Sequence, residues 1–198
     1  LAECSSPNGT PVSFSVSATD TCDPDPAIAC DPPSGTAFPV GESVVRCRAM
    51  DHSGNASECS FRVIVRDTTP PDIVCPQGPV MADCAIPLPS PGAIVNYPPP
   101  VVMDACDPAV SAGCIPPSGS IFPLGTTAVT CTATDAAGNV SRCTFDVLVV
   151  DQTPPMLVCP GNLQAECTSP DGAIVSYPPP VVADECDADP IVICNPAP

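Results

Sequence analysis

The chain has 198 residues, of which 31 are proline, 12 glycine and 15 cysteine, and its five arginines and 22 acidic residues give a net charge of −17. Nucleic-acid binding requires cationic side chains that displace counterions from phosphates, so this charge balance excludes it. No apolar run reaches the roughly 18 residues of a membrane-spanning helix, and the cysteine density is typical of oxidising compartments, so we predict an extracellular protein without membrane insertion.

The predicted elements are all strands. In chain order they lie in a hairpin over 44–67, in short strands at 73–75, 92–97, 101–103 and 110–114, and in a second hairpin whose strands cover 126–134 and 142–151. The second hairpin alternates with period two, with Val129, Cys131 and Ala133 on one face and threonines on the other. About seven short strands in roughly 84 residues predict an antiparallel Greek-key sandwich.

Self-comparison reveals a repeat of about 80 to 84 residues. The segment DTCDPDP at 20–26 returns as DACDPAV at 104–110 and as DECDADP at 184–190. RDTTPPDIVCP at 66–76 returns as VDQTPPMLVCP at 150–160. We therefore predict a repeat lacking its first strand at 1–66, a complete repeat at 67–150 and the N-terminal half of a third at 151–198.

The cysteines follow the repeat. The complete repeat contains six, which are Cys75, Cys84, Cys106, Cys114, Cys131 and Cys143. The first repeat lacks the first of these positions, and the third repeat contains only the first four. We expect Cys59, Cys159 and Cys167 to have partners outside this segment, either because the segment is a window on a longer array or because a neighbouring chain completes its ends.

Three separated motifs resemble the hyalin repeat (HYR) family, in a six-cysteine variety. They are DTTPPDIVCP at 67–76, PPSGSIFPLGTTAVTCTATD at 116–135 and DAAGNVSRCTFDVLVVD at 135–151. The resemblance implies tandem immunoglobulin-like β-sandwiches in extracellular arrays associated with adhesion and matrix assembly. The predicted fold class is therefore all-β and disulfide-rich.

The resemblance also implies a pairing of the cysteines, because simpler family members keep only the two that match Cys75 and Cys143. Cys106 and Cys114 lie eight residues apart across a turn and are predicted to pair locally, which leaves Cys84 with Cys131. A rival scheme joins Cys131 to Cys143 across the hairpin. Spacing alone does not decide between them. In the outer repeats the predicted pairs are Cys4–Cys47, Cys22–Cys30 and Cys186–Cys194.

Catalytic and metal chemistry has few candidates. The single histidine, His52, lies in a hairpin loop, where a solvated residue is the better interpretation than a catalytic base. Calcium prefers clustered carboxylates, and Asp67 and Asp151 at the repeat junctions are the candidate ligands. Apart from calcium we predict no cofactor. Asn8, Asn55 and Asn139 fit the N-glycosylation pattern.

From these features we predict a non-enzymatic, secreted or surface-attached array that acts as a spacer or building block of an adhesive or fibrous assembly. Its expected partners are other copies of itself, neighbouring repeats, and extracellular proteins or glycans. The alternatives are a module that binds glycan or protein through loops such as 104–114, and an accessory array of a larger secreted enzyme.

Overall fold

The computed structural model describes residues 1–86 and 90–195, and all regular structure in these residues is β-strand. The strands of the first repeat are β1 (Ala2–Glu3), β2 (Thr10–Pro11), β3 (Ala27–Asp31), β4 (Ala37–Phe38), β5 (Gly41–Met50) and β6 (Ala56–Arg66). Those of the second are β7 (Asp72–Val74), β8 (Val80–Asp83), β9 (Gly92–Val95), β10 (Val101–Met103), β11 (Ser111–Ile115), β12 (Ser120–Pro123), β13 (Gly125–Thr134) and β14 (Val140–Val150). The third contributes β15 (Met156–Val158) and β16 (Val181–Ala183). Over the described ranges, no helix is long and apolar enough to cross a membrane.

Each of the first two repeats contains a four-stranded sheet and smaller strand pairs. In the first repeat the sheet order is β1-β6-β5-β3, accompanied by β2 with β4. In the second the order is β11-β13-β14-β8, accompanied by β9 with β12 and β7 with β10. The predicted immunoglobulin-like, all-β architecture is confirmed, and the strands predicted at 73–75, 92–97, 101–103 and 110–114 correspond to β7, β9, β10 and β11.

The predicted antiparallel pairing has one exception in each large sheet. β1 runs parallel to β6, and β8 runs parallel to β14. These short strands, which are two and four residues long, lie at the edge of their sheets and were not predicted. Because of the parallel pairing, β1 ends beside the last residue of β6, and β8 ends beside the last residue of β14. Each of these points is the end of a repeat.

The first hairpin shows why the alternating sequence predicts its strands well. β5 and β6 pair in register from Gly41 opposite Val65 to Met50 opposite Ala56. Asp51 closes the turn, because its Oδ1 accepts hydrogen bonds from the backbone N–H of Ser53 and Asn55. The hairpin therefore depends on local interactions that the sequence displays directly.

The cores of the first two repeats lie between the large sheet and the smaller strand pair. In the first repeat Phe38 of β4 packs against Val45 of β5 and Val63 and Val65 of β6. In the second repeat the buried side chains alternate along β13 and β14, and they include Val129, Cys131, Ala133, Phe145, Val147 and Val149. β15 and β16 of the third repeat form one antiparallel pair with largely exposed side chains.

The chain forms two compact units that cross the repeat boundaries. One consists of Leu1–Val74, Pro100–Gly113 and Cys131–Cys143. The other consists of Cys75–Pro99, Cys114–Thr130 and Thr144–Pro198. Each unit therefore contains residues from consecutive repeats, and each contains one repeat junction.

Candidate functional site at the repeat junctions

The first junction is built around the end of β1. β1 and β6 pair in parallel with Ala2 opposite Val65 and Glu3 opposite Arg66, and the N–H of Cys4 donates to the carbonyl oxygen of Arg66 at 2.7 Å. Because parallel strands end at the same edge, Cys4 lies where the chain enters the second repeat. There it forms a disulfide with Cys106 of that repeat, with a Cα–Cα distance of 6.1 Å.

The second junction repeats this arrangement. β8 and β14 pair in parallel up to Asp83 opposite Val150, and the N–H of Cys84 donates to the carbonyl oxygen of Val150 at 2.8 Å. Cys84 forms a disulfide with Cys186 of the third repeat, with a Cα–Cα distance of 6.4 Å. Both junction bridges span 102 residues of sequence. The second cysteine of one repeat is therefore bonded to the third cysteine of the next.

An acidic residue immediately before the second cysteine holds the junction segment. Glu3 accepts hydrogen bonds from the backbone N–H of Thr68 at 2.7 Å and from the hydroxyls of Thr68 and Thr69 at 3.0 and 3.3 Å. The hydrogen bond from the Thr68 backbone, followed by that from its hydroxyl, lowers the pKa of Glu3. At the second junction, Asp83 accepts the N–H of Gln152 at 3.0 Å. The repeated acid–cysteine pair therefore fixes the chain as it passes into the next repeat.

The third cysteine of each repeat lies in a loop with a constant internal structure. The aspartate two residues before it accepts the N–H of the cysteine and of the following aspartate through one oxygen, at distances of 2.7 to 2.8 Å. These loop-closing aspartates are Asp20, Asp104 and Asp184. The loop 104–114 was the alternative candidate for ligand binding. Its Asp104 is engaged inside the loop and its Cys106 in the junction bridge, so both are occupied structurally.

The same loop is tied to the hairpin turn of its own repeat. In the second repeat, Asp107 accepts the N–H of Ala136 at 3.0 Å. In the first repeat, Asp23 accepts the N–H of His52 at 3.0 Å and contacts its Nδ1 at 2.7 Å. The hydrogen bond with Asp23 raises the pKa of His52, whose side chain is 84% exposed. His52 is thus a solvent-exposed loop residue that helps to hold the Cys22 loop.

Asn139 of the hairpin turn also reaches the first junction. Its Nδ2 donates to the carbonyl oxygen of Asp67 at 3.2 Å and to Oδ2 of Asp135 at 2.8 Å. Burial raises the pKa of Asp135, but the hydrogen bonds from Asn139 and neighbouring backbone N–H groups outweigh it and lower that pKa overall. Because both hydrogens of the Asn139 amide are engaged, a glycan on this nitrogen would displace a junction contact. Glycosylation of Asn8, Asn55 and Asn139 stays a prediction.

Carboxylates gather at the first junction. At the first junction, one oxygen each of Asp67 and Asp104 and the Sγ of Cys106 lie within 4.8 Å of one another. Burial raises the pKa of Asp67, and the negative charges of Asp104, Asp135 and Glu3 add to this effect. The Cys106 sulfur is in a disulfide and offers no thiolate, so only oxygen ligands remain, which suits calcium better than zinc. Calcium at Asp67 and Asp151 stays a prediction.

The predicted disulfide pairs Cys4–Cys47 and Cys22–Cys30 are wrong. Cys30 of β3 lies directly opposite Cys47 of β5, and these two are bonded with a Cα–Cα distance of 4.0 Å. Cys4 lies at the edge of the sheet and is bonded to Cys106, and Cys22 is a free, exposed thiol. The reason is that strand pairing, which spacing does not reveal, brings Cys30 and Cys47 together.

The predicted pairs Cys84–Cys131, Cys106–Cys114 and Cys186–Cys194 are also wrong, because Cys84, Cys106 and Cys186 are all in junction bridges. Cys75, Cys114, Cys131 and Cys143 are each disulfide-bonded. In the first repeat Cys47 lies opposite Cys59 but is bonded to Cys30. The equivalent cysteines of the second repeat are Cys114, Cys131 and Cys143, so this bond favours Cys114–Cys131 over the rival Cys131–Cys143. The pair Cys75–Cys143 stays a prediction.

Within the described residues the free thiols are Cys22, Cys59, Cys159, Cys167 and Cys194. Partners outside the segment were predicted for Cys59, Cys159 and Cys167, and this stays a prediction. The junction bridge was missed altogether. Its signal is an acidic residue directly before the second cysteine of a repeat, which occurs as Glu3-Cys4, Asp83-Cys84 and Glu166-Cys167. In the first two copies this cysteine is joined to the third cysteine of the following repeat.

Two proteins named hyalin are similar to this chain. Hyalin of Lytechinus variegatus is 35% identical over 158 residues, which are 76% of this chain and 29% of that protein. Hyalin of Strongylocentrotus purpuratus is 36% identical over 137 residues, which are 67% of this chain and 11% of that protein. The chain therefore spans less than a third of the length of either relative.

More distant similarity extends to a rat protein named Sushi, von Willebrand factor type A, EGF and pentraxin domain-containing protein 1, which is 30% identical over 57% of this chain and 3% of that protein. Among solved structures, the protocadherin gammaB7 EC3-6 cis-dimer matches 79% of this chain and 47% of that chain with a TM-score of 0.37 and 17% identity. The HYR domain model matches two consecutive regions, residues 7–65 and 66–149. More than half of the sequence is thus accounted for, and the chain belongs to the HYR domain family.

Proposed function

We propose that this chain is a non-enzymatic, extracellular adhesion-type module whose repeats act as a force-resistant spacer in a surface or fibrous assembly. The observation that carries the proposal is the overlap of the two junction bridges. One joins residues 4 and 106, and the other joins residues 84 and 186, so the second bridge begins inside the span of the first and ends beyond it. Overlapping bridges interlock the repeats covalently.

The overlap determines how a pulling force would pass through the chain. Force applied to the two ends would cross from Cys4 to Cys106, return along residues 84–106, and cross again from Cys84 to Cys186. The long strands β5, β6, β13 and β14 lie outside this path. Tension would therefore load the short strands β1, β9 and β10 but bypass the four long strands, and a spacer built in this way keeps its length under load.

The proposed location follows from the same bonds. Disulfides form and persist in oxidising environments, and a chain with 15 cysteines and structural bridges of this kind is typical of secreted or cell-surface proteins. The similarity to proteins named hyalin supports a role alongside other repeats. We propose other copies, neighbouring repeats, and extracellular proteins or glycans as partners, and repeat boundaries at residues 66/67 and 150/151.

Single-molecule pulling between the chain ends tests this function. With both bridges intact, only about 40 residues lie in the force path, so full extension should reach ~140 Å at about 3.6 Å per residue. After complete reduction the whole chain should extend to ~700 Å. Equal extension before and after reduction would contradict the proposal.

A variant supplies the matched control. In Cys4→Ala/Cys106→Ala the force passes along the chain from its start to Cys84. The Cys30–Cys47 bridge still removes the residues between these two cysteines from the path. The expected extension is ~280 Å, twice that of the parent protein. The variant therefore separates the effect of a junction bridge from that of the bridges inside a repeat.

For calcium at the junction, we expect Asp67→Asn to remove the response of the melting temperature to the ion. Millimolar calcium should raise the melting temperature of the parent protein relative to chelator and leave that of the variant unchanged. An identical melting temperature of the parent protein in calcium and in chelator would eliminate the site. Asp146→Asn on β14 is the control, because it removes one exposed charge away from the junction.

The same variant has an expected effect without calcium. Since the pKa of Asp67 is raised in the folded state, ionisation of this group opposes folding as the pH rises through that pKa. Asparagine keeps the acceptor for the Thr69 N–H and carries no charge, so Asp67→Asn should melt higher than the parent at neutral pH. The difference should disappear below about pH 4, where the aspartate is also neutral.

A further inference from the structure

We propose that Cys22 and Cys167 are the two halves of a third junction bridge, through which one molecule joins head to tail with another copy of this chain. The inference deepens the proposed function and depends on it, because it names the covalent contact by which arrays would lengthen. Cys22 is the third cysteine of its repeat and Cys167 the second cysteine of its own. Both bridges of this type inside the molecule join these two positions of consecutive repeats.

The Cys22 loop already has the conformation of the bonded loops. Asp20 accepts the N–H of Cys22 and of Asp23 at 2.8 Å, as Asp104 and Asp184 do around the bonded Cys106 and Cys186. The Asp23 carboxylate continues the pattern by accepting the N–H of Asp25 and of His52. The cysteines themselves differ in exposure. Cys186 is buried in its bridge, with 5% of its surface exposed, whereas the free Cys22 lies at the protein surface. A thiol in a preformed loop loses little conformational freedom on bonding.

Cys167 reproduces the other half of the bridge. It follows Glu166, as Cys4 follows Glu3 and Cys84 follows Asp83. Its Sγ lies 2.9 Å from the carbonyl oxygen two residues later, and the sulfurs of Cys4 and Cys84 lie 3.6 Å from the equivalent oxygens. Cys4 and Cys84 are 7% and 8% exposed in their bridges, whereas Cys167 is exposed and open to a partner.

The other free thiols do not fit this bridge. Cys194 occupies the fourth position of its repeat, and in the first repeat the fourth-position cysteine, Cys30, pairs within its own repeat with Cys47. Cys59 lies on β6 opposite Cys47, in the middle of a sheet rather than at a junction. Cys159 occupies the first position, which neither junction bridge uses. Of the five free thiols in the described part of the chain, only Cys22 and Cys167 form a second-to-third pair.

Bond formation requires an oxidant, and a small disulfide such as oxidised glutathione serves. The Cys167 thiolate of one molecule attacks glutathione disulfide, which gives a protein–glutathione mixed disulfide and releases one glutathione thiolate. The Cys22 thiolate of a second molecule then attacks the protein sulfur and releases the second glutathione. In total, two protein thiols become one disulfide, and one glutathione disulfide becomes two glutathione thiols. Because the two halves differ, the contact is heterologous and can be repeated from one molecule to the next.

The test uses the full 198-residue protein with its native bridges, incubated in a buffer of reduced and oxidised glutathione and run on non-reducing gels. The parent protein should form a ladder of multimers that collapses on reduction. Cys22→Ser and Cys167→Ser should each remain monomeric when incubated alone. Mixed in equal amounts, they should form a dimer and nothing larger, because the mixture contains one half of the bridge on each variant.

Cys59→Ser is the matched control, since it removes another exposed free thiol and should leave the ladder unchanged. Peptide mass spectrometry of the mixed dimer should recover a Cys22–Cys167 disulfide. A parent protein that stays monomeric, a ladder in either single variant, or a Cys22–Cys167 link confined to monomers would overturn the inference. The pulling experiment depends on the two internal bridges and does not use Cys22 or Cys167, so it can succeed where this inference fails.

Discussion

Removal of the first junction bridge, by replacing Cys4 and Cys106 with alanine, is expected to lower the free energy of unfolding by about 4 to 5 kcal/mol. The bridge spans 102 residues of sequence, so without it the unfolded chain gains the conformational freedom of a very long loop. A loss of this size is a large fraction of the roughly 5 to 15 kcal/mol by which domains are usually stable. Denaturant unfolding of the oxidised protein, followed by circular dichroism, measures it.

The control is the bridge within the first repeat. Cys30–Cys47 spans only 17 residues, so Cys30→Ala/Cys47→Ala should cost about 3 kcal/mol by the same relation, about 1.5 kcal/mol less than the junction variant. Both bridges lie in the same compact unit, which makes the two losses comparable. If loss of the Cys30–Cys47 bridge lowered the free energy of unfolding more than loss of the junction bridge, the junction would not be the main covalent constraint.

The hairpins could be predicted from sequence because their determinants are local. Residues 126–134 and 142–151 alternate between buried and exposed side chains, and β13 and β14 cover most of both ranges. The turn residues also lie in the sequence where they act, since Asp135 accepts the N–H of Asn139 four residues later at 2.7 Å. Period-two patterns and turn chemistry therefore determine these elements without reference to the rest of the chain.

The disulfides could not be predicted in this way, because tertiary placement determines them. The eight-residue spacing of Cys106 and Cys114 suggested a local bridge, whereas Cys106 is bonded 102 residues away. That bridge depends on β1, a two-residue strand with no periodicity to detect, lying parallel to β6. Spacing measures distance along the chain, and parallel pairing at a sheet edge brings together residues that are far apart along it.

The candidate site was found in part. Asp67 and Asp151 were recognised at the junctions, because each lies two residues before a TPP segment that occurs in both copies of the repeat. Glu3 and Asp83, which hold the junction backbone, were missed. Their signal is the acidic residue directly before the second cysteine of each repeat, and its role becomes apparent only when the strand carrying it is placed beside the end of the repeat.

The hydrophobic core should matter as much as the junction bridge. Replacing Phe122 with alanine is expected to lower the free energy of unfolding by about 3 to 5 kcal/mol, the usual loss for a buried phenylalanine. Phe122 on β12 is 0% exposed, and its ring centre lies 6.4 Å from that of Tyr97 in an edge-to-face contact. Tyr97 in turn lies 5.0 Å from Phe145 in the same geometry. These are the aromatic residues of the complete repeat, so truncating one of them opens a cavity that its neighbours cannot fill.

Ile121 provides the matched control, because it precedes Phe122 on the same strand and is 64% exposed. Ile121→Ala should change the free energy of unfolding by no more than about 0.5 kcal/mol, as is usual for surface positions. Both variants are compared with the parent by denaturant unfolding under oxidising conditions, so that every bridge is retained. If Phe122→Ala were as mild as Ile121→Ala, the disulfides alone would hold the sandwich. A large loss with all bridges intact would mean that the small aromatic core stabilises the second repeat beyond what its bridges supply.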